Sequence, residues 1–146
     1  MATTTWIIAA DASRARILQV MDRDGRLAEI EDFFNPEGRA HDRDLIADAH
    51  PRFSGTSGPG SDREEMKATE HATELFVKRV SEYLDKARNA HRYDRLHLVA
   101  PPKFLGQLRK ELAGEVQKLV TDELPKDLSG LDTRELEKRL LGKDGE

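Results

Sequence analysis

Thr5-Trp6-Ile7-Ile8-Ala9-Ala10-Asp11-Ala12-Ser13-Arg14-Ala15-Arg16-Ile17-Leu18 is the stretch on which the fold turns. Trp6 to Ala10 is an apolar run with no polar break, the pattern of a strand covered on both faces in the middle of a sheet. Asp11 and Ser13 can hydrogen-bond their own backbone and close a tight turn. Ala15 and Ile17 then alternate with more polar neighbours, so a second strand returns beside the first.

Working outward, Asp24-Gly25 is the pair that favours a two-residue hairpin loop. Leu27 to Phe34 follows as a half-exposed strand whose acids suit a sheet edge. Residues 35–62 form a long irregular connection: Ser54 to Ser61 is rich in small residues, while its first part carries His41, Asp42, Arg43, Asp44, Asp48, His50 and Arg52 around Leu45 and Ile46. Ser61-x-x-Glu64 is a capping box. It predicts a helix to about Ala90 whose apolar face is Ala72, Phe76, Val80 and Leu84, with Leu75, Tyr83 and Ala87 alongside. Arg95 to Ala100 reads as a buried strand. Pro102 suits the first turn of a helix with Phe104, Leu105, Leu108 and Leu112 inside and Gly114 at its end. Val116 to Val120 is expected as a last strand. A last helix starts at Asp132, with Glu135 in a second capping box and Leu131 placed to pack on Leu136.

Three strands, helix, strand, helix, strand, helix, joined by right-handed crossovers, predict an α/β fold with a mixed five-stranded sheet of order 3-2-1-4-5 and helices on both faces. That is the ribonuclease H-like three-layer arrangement. One domain over residues 1–141 is expected, with 142–146 fraying.

Composition narrows the function classes. The 146 residues are 37% hydrophobic and 36% charged with a formal net charge of -4, a soluble pattern without the overall basicity of most nucleic-acid binders. There is no cysteine, so disulfides and thiolate metal sites are excluded. No basic region precedes a long apolar core at the N-terminus, and Trp6–Ala10 is too short to span a bilayer, so a cytoplasmic protein without membrane attachment is expected.

Four stretches carry a family resemblance: Trp6 to Ile17; Asp44-Leu45-Ile46-Ala47-Asp48; Leu98-Val99-Ala100-Pro101-Pro102-Lys103-Phe104-Leu105-Gly106-Gln107-Leu108-Arg109; and Lys126-Asp127-Leu128-Ser129. Together the chain resembles the bacterial host-attachment proteins, described as required for attachment to host cells. It departs from them at Asp48-Ala49-His50-Pro51-Arg52, where members commonly carry aspartate-arginine-x-glycine-arginine. The resemblance implies no enzymatic activity and no cofactor. The fold is also similar to the middle domain of class I peptide-release factors, which implies RNA or the ribosome as partner. The glycine-glycine-glutamine loop of that domain has no counterpart, since Gly106-Gln107 lies in a predicted helix.

Candidate chemistry centres on Asp11, where a ribonuclease H-type enzyme places a metal-binding carboxylate. Such sites need several carboxylates around two metals about 3.5–4 Å apart. Glu70 or Glu74 is a second candidate, but the fourth strand ends in Val99-Ala100-Pro101 with no carboxylate. A turn-closing role for Asp11 is the plainer reading. The crevice beside the first strand's carboxyl end is expected to gather Asp11, Ser13, Arg14 and Lys103, the last at a helix start that favours an anion such as phosphate. Arg39, Arg43 and Arg52 of the long connection are candidates to close over that anion. His41, Asp44, Asp48 and His50, with Asp11, have metal-ligand types without ligand spacing. His97 reads as a partly buried structural histidine, and His71 and His91 carry no motif. The residues favour a non-enzymatic binding domain for RNA, the ribosome or a small phosphate-like anion. A metal-dependent nuclease or phosphoesterase centred on Asp11 and an adhesion or scaffold factor are the alternatives. The sequence leaves the oligomeric state open.

Overall fold

Trp6, Ile7, Ile8, Ala9 and Ala10 are all buried because their strand has neighbours on both edges and cover on both faces. The computed structural model describes residues 3–21, 25–38 and 59–141, with 59–66 as backbone only. Its strands are β1 (Thr5–Asp11), β2 (Arg14–Val20), β3 (Leu27–Phe34), β4 (Arg95–Val99) and β5 (Val120–Leu124). They form one mixed sheet in the predicted order β3-β2-β1-β4-β5, antiparallel from β3 to β1 and parallel from β1 to β5. The fold is therefore the ribonuclease H-like α/β arrangement.

The period-two alternation of β1 divides the core. Trp6, Ile8 and Ala10 face α1 (Pro59–Asn89) and α2 (Pro102–Glu111), packing with Phe76, Val80, Leu84, Phe104 and Leu108. Ile7 and Ala9 face the opposite side, under Leu128 and under Leu136 of α4 (Thr133–Leu136). Helices thus cover both faces.

Several expectations need correction. The long helix begins at Pro59, so Ser61 lies inside it and is not its cap; proline fits a first helical turn, where its missing N–H is no loss. Leu75 is 52% exposed. The inner seam of α1 uses Thr69, Thr73 and Ser81 beside Phe76, Val77 and Val80; the Thr73 hydroxyl donates to the Thr69 carbonyl at 3.0 Å and the Ser81 hydroxyl to the Glu111 carbonyl of α2 at 3.1 Å. Helix α2 ends without Gly114, at an extended Leu112 whose N–H still bonds the Leu108 carbonyl. Gly114 instead opens a short helix, α3 (Gly114–Gln117), and the final strand is Val120–Leu124 in place of Val116–Val120. Val116 is apolar because it is a buried helical residue, whereas β5 is an edge strand with exposed Thr121 and Asp122. Asp132 caps α4 through the Glu135 N–H at 2.8 Å as expected, but the helix runs only to Leu136 and continues as a π-helical turn, Glu137–Leu141. Of the expected 35–62 connection, 36–38 form a helical turn, 59–62 belong to α1, and 39–58 lie outside the described residues.

Candidate functional site

The β1–β2 turn is built by one carboxylate. Asp11 Oδ1 accepts hydrogen bonds from the Ser13 N–H (2.8 Å), the Ser13 hydroxyl (2.9 Å) and the Arg14 N–H (2.9 Å), the turn-closing role expected of it. Its Oδ2 accepts from the Ser129 hydroxyl at 3.0 Å, and that hydroxyl also lies 3.1 Å from Asp127 Oδ1. Two stretches that carry the family resemblance, Trp6 to Ile17 and Lys126 to Ser129, therefore meet here.

Arginines on β2 hold the rest. Arg16, only 4% exposed, forks onto Glu29 and sends Nη1 to the carbonyls of Ser129, at 3.0 Å, and Leu131. Arg14 forks onto Asp32 at 3.0 and 2.6 Å, which raises its pKa further and fixes its direction. Glu29 and Asp32 would point to opposite faces of a regular strand. The bulge in the β2–β3 register skips Ile30, and both acids reach the arginine face. Behind the turn, the Asn35 N–H donates to the Ser13 carbonyl and Asn35 Nδ2 to the Ala12 carbonyl. Gly38 is packed so tightly that a Cβ there would lie 1.9 Å from the Ala12 carbonyl oxygen.

A cavity of about 350 Å³ opens at this junction, lined by Asp11, Ser13, Arg14, Asp127, Ser129 and Gly130. It lies outside the carboxyl ends of β1 and β5, the edge where ligands collect in open α/β sheets. Its Arg14 side borders Phe34, whose ring is 5.2 Å from the guanidinium and 56% exposed. Arg79 of α1 reaches the Phe34 carbonyl at 3.5 Å and stacks on Phe33.

Of the predicted site residues, Asp11, Ser13 and Arg14 are brought together here. Lys103 is not among the lining residues; it sits exposed on α2, which packs on the other face of the sheet from the 127–131 segment. Arg39, Arg43, Arg52, His41, Asp44, Asp48 and His50 lie outside the described residues. Glu70 and Glu74 are exposed on α1, and among the described residues no three His, Asp or Glu side chains are grouped to hold a metal. His97 is half-buried and lines a second, smaller cavity, while His71 and His91 are exposed. Arg16, Asn35, Gly38, Asp127 and Ser129 escaped sequence reasoning as site residues. The legible signal was Arg16 itself, a charge between the two apolar residues Ala15 and Ile17 of a buried strand.

The sequence profile of the family described as "Protein required for attachment to host cells" matches residues 6–140. A curated relative, "Uncharacterized protein RP470" of Rickettsia prowazekii (strain Madrid E), is 36% identical over 81 residues, 52% of this chain and 53% of that protein. The match thus spans about half the length of the relative. Among solved structures, an archaeal translation termination factor, aRF1, superposes with a TM-score of 0.51 at 14% identity, covering 88% of this chain and 32% of that one. The Aquifex aeolicus Ppx/GppA phosphatase gives a TM-score of 0.43 at 14% identity, over 84% of this chain and 36% of the phosphatase. The likeness to aRF1 is one of fold alone. No helix among the described residues is long and apolar enough to cross a membrane.

Proposed function

The chain belongs to the family of proteins required for attachment to host cells, and we propose that it works as a non-enzymatic binding domain for single-stranded RNA at the cavity beside the β1–β2 turn. The observation that carries this is the exposed Phe34 ring next to an arginine that lines the cavity. A base stacked on an exposed aromatic ring gains about 1–3 kcal/mol without sequence preference. Asp32 occupies Nε and Nη2 of Arg14, so among the described residues Nη1 keeps its N–H groups for a phosphate, with Arg79 at the Phe34 carbonyl. Asp127 is an acceptor for a ribose 2′-hydroxyl, the group that separates RNA from DNA.

A nuclease centred on Asp11 has less support: Oδ1 is spent on three donors and Oδ2 on Ser129, and the second carboxylate, Asp127, approaches that same hydroxyl. The RNA reading is tested by fluorescence anisotropy with a labelled single-stranded RNA, fragments of ribosomal RNA included because a translation termination factor shares the fold. Binding at low salt that weakens as salt rises is expected. Phe34→Ala should weaken it about tenfold, the loss of one stacked base. Absence of binding at low salt, or a Phe34→Ala variant equal to the parent, overturns the reading.

A further inference from the structure

A second cavity, of about 130 Å³, lies on the α4 side of the sheet between β4–β5 and the π-helical turn. It shares no lining residue with the first. Leu124 and Leu140 give it aliphatic walls above the buried Ile7 and Val99, and His97, Asp122 and Arg139 supply its polar groups. Two backbone irregularities aim those groups. The β4–β5 register pairs Leu96 with Val120 and then His97 with Asp122, skipping Thr121. Without that bulge Asp122 would share the face of Val120, which packs on the α1–α2 side; with it, Asp122 stands beside His97. The π-helical turn carries Arg139 and Leu140 to the opposite wall. Both kinds of irregularity are over-represented at functional sites.

Charge selects the ligand class. Glu123 also borders the cavity but is committed to Arg109 through two bonds of 3.0 Å. Asp122 and Arg139 have no ion-pair partner among the described residues. A lone anion would face Asp122 uncompensated, and a lone cation would face Arg139. The volume falls below the roughly 300 Å³ at which sites for drug-sized molecules begin, so a nucleotide does not fit. We propose that this cavity binds a small zwitterion, a short aliphatic α-amino acid, with its ammonium on Asp122, its carboxylate on Arg139 and His97, and its side chain on the half-buried Leu124 and Leu140.

The test is an NMR amide titration of the full chain with L-valine, and with acetate and ethylammonium as half-ligands. Saturable shifts are expected for valine at residues 97–99, 122–124 and 139–141. Asp122→Asn and Arg139→Gln should each weaken binding at least about tenfold, and each half-ligand should bind at least about tenfold more weakly than valine, since both charges are needed. The remaining amides report that each exposed-site variant is folded. No saturable shift up to the solubility of valine, shifts unchanged in both variants, or acetate binding as well as valine each overturns the proposal. RNA binding at the first cavity is scored separately and does not bear on this outcome.

Discussion

Tyr93 is 2% exposed, stacks on Trp6 at a centroid distance of 4.8 Å and donates its hydroxyl to the Leu84 carbonyl at 2.6 Å. Burial pushes the phenol pKa up, and nearby Arg88 only partly offsets that. The folded state therefore holds the Tyr93 proton more tightly than the unfolded chain. Its contribution to stability is complete below the unfolded value near pH 10 and is lost as pH rises towards the folded one. Urea unfolding should show stability falling above about pH 10 by up to about 1.4 kcal/mol per pH unit from this group. Tyr93→Phe should flatten that fall at a cost of about 1 kcal/mol at neutral pH for the lost hydrogen bond. Single residues were unevenly legible. The turn role of Asp11 follows from its type and position, because its partners are two and three residues away. That Arg14 is tied to Asp32 was not, since the pairing depends on a bulge in a neighbouring strand. His91 was silent in sequence yet closes α1: it takes a left-handed φ of 56° while the Arg92 N–H returns to the Ala87 carbonyl, a position where glycine is usual.

Among the elements, the segment from Asp127 to Leu131 has no regular structure of its own and is held from outside by Arg16. Removing that side chain leaves two carbonyls and Glu29 without their partner. Arg16→Ala should cost about 2–4 kcal/mol and speed amide exchange across residues 127–136 beyond the global change. Arg16→Lys should recover less than half, because one ammonium cannot fork onto Glu29 and still reach both carbonyls. Elements whose burial follows one period were readable from sequence: β1, β2, α2 and the body of α1. At one margin, β3 was readable as the half-exposed edge strand Leu27–Phe34 that it is; at the other margin, β5 and the C-terminal turn were not. Strand β5 pairs along β4 only and is half-exposed, so its Thr121-Asp122-Glu123 core carries no apolar alternation; Val120 was rightly placed in the last strand, but the apolar signal of Val116 drew that strand's bounds back into α3. The π-helical turn had no sequence signature, since its composition differs little from that of an ordinary helix.

Across the whole molecule, one sheet serves two apolar layers that share β1 between them. Leu136 is fully buried in the smaller layer and Trp6 almost fully in the larger. Leu136→Ala should cost about 2–4 kcal/mol. Unfolding should nonetheless stay a single transition, with Trp6 fluorescence and far-UV circular dichroism coincident in urea. Trp6 is the sole tryptophan, so its signal reports the larger layer from a mutation in the smaller one. The sequence by itself determined the order of elements, the centrality of β1 and hence the sheet topology, because apolar periodicity is a local property of consecutive residues and crossover handedness leaves few arrangements. Only the tertiary structure decided the site: Asp11 meets Ser129 across 118 positions, Lys103 is carried to the opposite face, and two bulges choose which face Glu29, Asp32 and Asp122 present. Such meetings depend on strand register and on which layer a helix joins, and neither is written in the spacing of neighbouring residues.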